Sequence, residues 1–413
     1  MDAEIRIDHP DLAYLGLTVA IHDPELDRPV SSSIARIKLW EGFLTRQLLA
    51  LVSDPAFNAF YDLGANIGWH SLVLAAHLRA RGLPGSVVAV EPAQSNQARL
   101  RRSLVLNGLQ DRVQLVAGAV GDHNGQARLD HDPASAGNHH LSGFSWPSDS
   151  YITSEDVPIH RLEDLVRAQG WPRPTLMKMD VQGHELQALA GFGSMLADQS
   201  DWILAIEFVP DFWSLEELIA LIGPDAVYQL DEQSLAVVPT SPERLRALGA
   251  EWPRRYYDLI LSKGPKAQAA IAALPAHCDT MQMRFIAGSG TGFGGLMESA
   301  ARWVGPEADC VLEPLRADQP AQQVEISGQI LRKLWDGAIV LTLQDGAGQH
   351  QRHVLKPQIP FTLRCTLGPA PVRLHFALRE KPGGTRRHPQ HAFQLSHLQL
   401  QVRTEDRLPS QAS

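Results

Sequence analysis

The chain has 413 residues, 44% apolar and 20% charged, with 32 glycines and 28 prolines. That composition excludes a small stapled scaffold, a disordered chain and a collagen-like one, and leaves room for two or three domains with large cores. Lys and Arg number 37 against 46 Asp and Glu, and the resulting charge of −9 weighs against nucleic acid and anionic bilayers as partners.

Three cysteines, Cys278, Cys310 and Cys365, never spaced C-x-x-C, argue against a disulfide framework and for a reducing compartment. The opening MDAEIRIDHP carries acids where a signal peptide needs positive charge, and no apolar run reaches the ~18 residues of a membrane span. A cytoplasmic enzyme or binding protein is expected.

Residues 1–54 read as a hairpin followed by a helix over Ile34–Val52. From 55 to 264 short apolar runs (NAFYDL, SVVAVE, RVQLVA, TLMKMD, DWILAIEF, AVYQL) alternate with amphipathic stretches such as Gln94–Asn107 and His184–Leu196. That rhythm predicts βαβ units on a parallel sheet. The Ala-rich KAQAAIAALPA lies in a linker placed at 265–280. Beyond it, period-two alternation in Val324–Ile330, Ala338–Leu343, Phe361–Leu367, Val372–Leu378 and Phe393–Val402 predicts an antiparallel β-sandwich over 281–413.

The first central strand ends in Asp62-Leu63-Gly64-Ala65-Asn66-Ile67-Gly68. Glycines at a strand-to-helix crossing permit a tight turn and let a ligand approach bare main chain. The spacing G-x-x-x-G lacks the middle glycine of a dinucleotide fingerprint. Asp62 suits a cationic amine and repels a diphosphate. Glu91 ends the next strand, where an acid can accept both ribose hydroxyls of an adenosine ligand. Together these residues describe S-adenosylmethionine. After the third strand, the small residues around Ala119 could admit an adenine ring, although a plain strand-to-loop transition explains them as well.

The fourth strand, Thr175–Met179, ends in Asp180-Val181-Gln182-Gly183-His184-Glu185, and the fifth delivers Glu207 to the same sheet edge. Two carboxylates beside a histidine form an acid/base cluster or, with Asp180 and Glu207 as ligands, a Mg²⁺ site. His184 starts a helix whose dipole favours a neutral imidazole able to act as base.

The segment Phe60–Phe208 resembles the FkbM-type S-adenosylmethionine-dependent methyltransferases, on YDLGANIGWHS, VVAVEP, LNGLQDRVQLVAGAVGD, LEDLV and, most specifically, MKMDVQGHELQALAGF followed by AIEFVP. The resemblance implies a class I methyltransferase fold over about 55–263, with a mostly parallel seven-stranded sheet, and O-methylation of a sugar, glycan or natural-product hydroxyl. It implies that Asp62, Gly64, Asn66, Gly68 and Glu91 hold the cofactor, and that Asp180 and Glu185 belong to the fourth-strand motif. His184 falls where that motif leaves the residue free.

In the C-terminal part, Gly290-Thr-Gly292-Phe-Gly294-Gly295 mimics a dinucleotide fingerprint with a helix over Leu296–Trp303, but no second βα half follows it. The same stretch resembles the opening of β-sandwich modules of polysaccharide assembly, with a strand at Arg302–Val304. The expected activity is methyl transfer from S-adenosylmethionine to a saccharide hydroxyl, with Asp180 or His184 as base and Glu207 orienting the acceptor. The alternative is a non-catalytic glycan-binding or scaffolding protein that retains the fold. His139, His140 and Trp146, in the loop Asp130–Ser154, are candidate sugar contacts, with a solvated insertion as the plainer account.

Overall fold

The computed structural model describes residues 3–9, 11–27, 30–132, 137, 139–143, 153–168, 175–231, 236–251 and 256–274, together with ten strand segments between 281 and 397. The chain divides into two compact units, one of Met1–Leu230 with Val237–Leu274, the other of Asp231–Ala236 with Pro275–Ser413.

The first unit opens with the antiparallel pair β1 (Ala3–Arg6) and β2 (Thr18–Ile21). Where one helix is expected over Ile34–Val52 there are two, α1 (Val30–Ile37) and α2 (Gly42–Val52). The chain breaks between them because Lys38 and Glu41 adopt left-handed φ of 60° and 42°, a turn that no glycine advertises.

There follow β3 (Ala59–Leu63), α3 (Trp69–Ala80), β4 (Ser86–Glu91), α4 (Gln94–Asn107) and β5 (Val113–Ala117). A side sheet comprises β6 (Ala119–Gly121), β7 (Gly125–His131), β8 (His140–Leu141) and β9 (Thr153–Arg161), in the order β6-β9-β7-β8. After α5 (Leu162–Ala168) the chain returns to the centre as β10 (Leu176–Met179).

The helix expected over 184–196 is interrupted, giving α6 (Glu185–Ala190) and α7 (Met195–Asp198). Gly191 lies so close to β6 that a Cβ there would fall 1.9 Å from the Gly121 carbonyl oxygen. The remaining elements are β11 (Trp202–Phe208), α8 (Leu215–Ile222), β12 (Ala226–Asp231), β13 (Ala236–Pro239), α9 (Pro242–Glu251), β14 (Tyr257–Lys263) and α10 (Pro265–Ala272). The segment read as the start of a linker is thus α10, with Ala267 and Ile271 buried.

The central sheet runs β5-β4-β3-β10-β11-β14-β12-β13. Strands β5 to β11 are parallel, and β14 is antiparallel to both β11 and β12. This is a mixed α/β sheet, with eight strands where seven are expected. The extra one is a four-residue edge strand ending in Pro239, a position where a missing N–H costs the ladder nothing.

Alternate residues face two cores. Phe60, Leu176, Ile203 and Ala205 meet the N-terminal elements together with α3 and α4. Tyr61, Met177, Met179, Leu204 and Ile206 meet the opposite layer. By the same alternation Asp62, Lys178 and Glu207 lie on the first face. Strand order reverses between β3 and β10, so a crevice forms beyond their carboxyl ends.

In the second unit the strand pairings are antiparallel. One sheet places Met281–Phe285, Glu307–Pro314, Val372–Arg379, Ala338–Gln344 and His350–Leu355 side by side. The other runs Phe293–Leu296, Arg302–Val304, Phe393–His397, Gln322–Gln329, Phe361–Leu367. Leu296 and Trp303 therefore lie in strands rather than bounding a helix, while Gly290 and Gly292 fall outside the described residues.

Candidate active site

The turn after β3 is built on glycines, yet their bareness serves protein packing. Gly64 has φ 82°, and a Cβ there would sit 1.8 Å from the backbone oxygen of Asp180. Gly68 has φ 86°, and its Cβ would strike Leu100 of α4 at 2.3 Å. The first contact ties the turn to the end of β10, and the second seats α4 against the start of α3.

Asp62 is 1% exposed. Its Oδ2 accepts hydrogen bonds from the Ser71 N–H (3.1 Å) and hydroxyl (2.6 Å), so this carboxylate secures the first turns of α3 from beneath the loop. Burial raises its pKa, with Lys178 and Ser71 opposing. Its Oδ1 is buried without a hydrogen-bond partner.

Glu91 is 4% exposed. Its Oε2 accepts from the Asn66 N–H (2.8 Å), while Oε1 accepts from the Ala93 N–H (2.9 Å) and from Asn96 Nδ2 (3.1 Å). Burial outweighs these donors and pushes its pKa up to about 7. A carboxylate offers roughly four lone-pair positions, so one remains beyond these three bonds.

Ala65 is buried, whereas Gly64 and Asn66 keep partial exposure, and Asn66 holds its φ of 51° with its side-chain oxygen on the Ile67 N–H (2.8 Å). Ala119 is buried in β6, paired with Ile159. A partly exposed loop edge, a residual acceptor on Glu91 and the orphaned Asp62 oxygen suit an adenosyl ligand.

Across the Gly64–Asp180 contact lies a small, partly open cleft, lined on one side by Glu41 and Leu44 of the N-terminal segment and on the other by Lys178, Asp180, Glu207 and Asp258. Lys178 Nζ stands 3.1 Å from Asp180 Oδ2 and 3.5 Å from the Gly64 carbonyl oxygen. Burial opposes its charge, but the carboxylates of Asp180, Glu41 and Asp62 prevail and raise its pKa, keeping the ammonium charged.

Gln182, at φ 53°, donates Nε2 to Asp180 Oδ1 (2.6 Å) and lies 3.5 Å from Glu207 Oε2. Glu207 pairs in register with Asp258. Burial, then Asp180, Asp258, Glu185 and Glu41, raise the Glu207 pKa well above its ordinary value. His70, 3.5 Å from Glu41, is held well below its ordinary pKa by burial and the Lys178 charge.

The structure thus brings Asp180 and Glu207 together and leaves His184 apart. His184 is 7% exposed and lies against Gly121, whose added Cβ would be 3.4 Å from Nε2. Burial lowers its pKa, with Asp122 opposing. Glu185 is fully buried; its Oε1 accepts the Val181 and Gly183 N–H groups (3.0 and 3.2 Å) and its Oε2 accepts Trp213 Nε1–H (3.2 Å). It clamps the turn that aims Asp180.

Asp180 already holds an ammonium at Oδ2 and an amide at Oδ1, and nothing in this arrangement supports Mg²⁺. Among the described residues no group of three or more His, Cys, Asp or Glu is arranged to hold a metal, and no helix is long and apolar enough to cross a membrane. His139 packs against His131 with ring centroids 4.6 Å apart, His140 is buried in β8, and Trp146 falls outside the described residues.

Residue-level reasoning missed Lys178, Gln182, Glu41 and Asp258. Lys178 had a signal: one charge amid the apolar LMKM of a buried strand. Glu41 and Asp258 had none, because only the fold brings them to the cleft.

The profile described as Methyltransferase FkbM domain matches residues 62–230. Among curated proteins, methyltransferase sdnD of Sordaria araneosa is 25% identical over 217 residues, covering 46% of this chain and 80% of that protein. A solved methyltransferase FkbM from Methylobacillus flagellatus shares 17% identity at a TM-score of 0.32, covering 50% of this chain and 44% of that one. This chain therefore spans less than half the length of that protein. The O-methyltransferase from Bacillus cereus in complex with SAH shares 14% identity at a TM-score of 0.30, over 59% and 92% of the two chains. Residues 62–230 thus match the FkbM methyltransferase domain, and over that part of the chain the curated protein they are similar to is a methyltransferase.

Proposed function

We propose that this chain is a cytoplasmic S-adenosylmethionine-dependent O-methyltransferase acting on a hydroxyl of a saccharide, glycan or glycosylated metabolite. The observation that carries this reading is the Gly64–Asp180 contact, which sets a cofactor-type loop and an acid-lined cleft side by side at the switch point of the sheet. Gly64, Ala65, Asn66 and Gly68 form the loop that holds the cofactor, Glu91 accepts from its ribose, Asp62 braces the loop, and Ala119 borders the adenine side. When bound, the cofactor supplies a methyl group on a positively charged sulfur.

The chain's own task is to place and deprotonate an alcohol. Asp180, 24% exposed at the rim of the cleft, would take the hydroxyl proton as the acceptor oxygen gains the methyl group and the methyl–sulfur bond breaks with its electron pair left on sulfur, and would later pass that proton to water. Glu207 orients the acceptor. Lys178, kept charged, cannot serve as base; it fixes Asp180 Oδ2. Holding oxygen and methyl carbon roughly 3 Å apart supplies much of the rate.

The methyltransferase domain extends over 55–264, after a lead-in of 1–54. The two five-stranded sheets of the second unit form a β-sandwich with a carbohydrate-associated role, supported by their strand pattern. Neutral carbohydrate rather than nucleic acid agrees with the net charge of −9.

Titration calorimetry with S-adenosylhomocysteine tests the cofactor reading. One site per chain is expected. Absence of heat from folded protein overturns it and leaves the alternative of a glycan-binding or scaffolding protein without turnover.

A further inference from the structure

The edge strand β2 is satisfied on α4 by side chains. The Thr18 N–H donates to Asn107 Oδ1 (2.8 Å), the Ala20 N–H donates to Ser103 Oγ (2.9 Å), and Asn107 Nδ2 returns a bond to the Thr18 carbonyl (2.7 Å). Residues 103 and 107 are one helical turn apart on one face, and 96 lies two turns before 103. A strand edge that would otherwise seek another strand is thereby laid along the helix, and the next residue in line, His22, meets Asn96.

His22 Nε2 lies 2.7 Å from Asn96 Oδ1, and Asn96 Nδ2 donates to Glu91 Oε1 at 3.1 Å. The direction of this chain follows from chemistry. Glu91 also takes the Asn66 and Ala93 N–H groups, so Asn96 turns its NH₂ to that carboxyl group and its carbonyl oxygen to His22. His22 must then carry a proton on Nε2. The His22 N–H is itself held by Ser31 Oγ (3.1 Å), and the Ser31 N–H by Asp27 Oδ2 (3.0 Å), so the donor is fixed from the N-terminal segment. Asn96 is 1% exposed, and without that donor its amide oxygen would lose this buried partner.

We propose that the N-terminal hairpin, which precedes the matched domain, completes the cofactor-binding edge, with His22 as a positioning residue that orients Asn96 and, through it, the Glu91 carboxylate. This inference rests on the reading of Glu91 as the ribose partner.

The test is S-adenosylhomocysteine binding by calorimetry on the full chain. Losing one such bond raises Kd in His22→Ala roughly five- to tenfold, while melting without ligand stays within about 2 °C of wild type, a shift of less than about 1 kcal/mol. His22→Gln, whose Nε2 can donate from a similar position, restores Kd to within about twofold, under roughly 0.4 kcal/mol. Adding Asn96→Ala to His22→Ala costs less than about twofold more, since both lie on one chain of bonds. Should His22→Ala melt early, His22→Phe, bulky and unable to donate, takes its place in the comparison. Unchanged binding in the variant without a donor, or no recovery with His22→Gln, overturns the proposal. If folded wild-type protein binds no S-adenosylhomocysteine, the Glu91 reading fails first and this inference falls with it.

Discussion

The Cβ that Gly64 lacks would lie 1.8 Å from the backbone oxygen of Asp180, so the loop assigned to the cofactor and the residue assigned to the acceptor are in main-chain contact. Neither can shift without the other. Gly64→Ala meets both this clash and a left-handed φ, and the expected loss is about 3 kcal/mol or more of folding stability. Urea denaturation measures it, and a loss under about 0.5 kcal/mol, the range of an inconsequential surface change, contradicts the packing described.

Glu91 links folding and binding to pH. Its pKa is pushed up to about 7 in the fold from an ordinary 4.5, so the folded state binds the proton more tightly. Stability from this group is therefore greatest below pH 4.5 and declines as pH rises through 7, by at most about 3 kcal/mol. Ribose recognition needs the ionised form. S-adenosylhomocysteine affinity should rise with pH up to about 7 and level off above it, approaching tenfold per unit on the acid side. A flat profile from pH 5.5 upward would argue against Glu91 as the ribose acceptor.

The two carboxylates at the strand ends should separate by function. Glu91→Ala weakens S-adenosylhomocysteine binding by about 50-fold or more, the cost of a charged hydrogen-bonding partner. Asp180→Asn leaves Kd within about threefold (under roughly 0.7 kcal/mol) and lowers turnover roughly 10²- to 10⁴-fold. Calorimetry and single-turnover methyl transfer distinguish the two, and equal effects of both changes on binding contradict the roles.

Among the described residues, Lys178 is the ammonium acted on by Asp180, Glu41 and Asp62. Lys178→Met leaves those carboxylates without it, at a cost of about 3–5 kcal/mol, read by chemical denaturation. Lys178→Arg keeps the charge and should retain more stability than Lys178→Met. Equal losses in the two variants would mean that packing rather than charge holds the cluster.

Because Lys178 and Gln182 occupy both oxygens of Asp180, turnover should survive exhaustive EDTA treatment within about twofold, under roughly 0.4 kcal/mol in the barrier. A loss restored by added Mg²⁺ would show that the cleft reorganises around a cation.

Much of this was legible in the sequence, and the limits have physical causes. Gln94–Asn107 forms a helix over those residues because an amphipathic run ends at Gly108, whose left-handed conformation caps it. The break after Ile37 was hidden because Lys38 and Glu41 take left-handed backbone without glycine. The interruption of the 184–196 helix was hidden because Gly191 is required by a distant carbonyl, that of Gly121. Glycine spacing marked the loop, but not that Gly64 and Gly68 also make room for Asp180 and Leu100. His184 looked reactive by its place before a helix, whereas its surroundings are Gly121 and Asp122. The wall supplied by Glu41 comes from more than a hundred residues before Asp180, and no local pattern foretells that.

Transfer of label from S-adenosyl-[methyl-³H]methionine to the glycans and nucleotide sugars of a source-cell lysate tests the central claim most directly, comparing wild type with Asp180→Asn. The account predicts alkali-stable tritium in the saccharide fraction with wild type and a roughly hundredfold or greater loss with the variant. Label in protein or nucleic acid instead, or equal incorporation by both proteins, would contradict it.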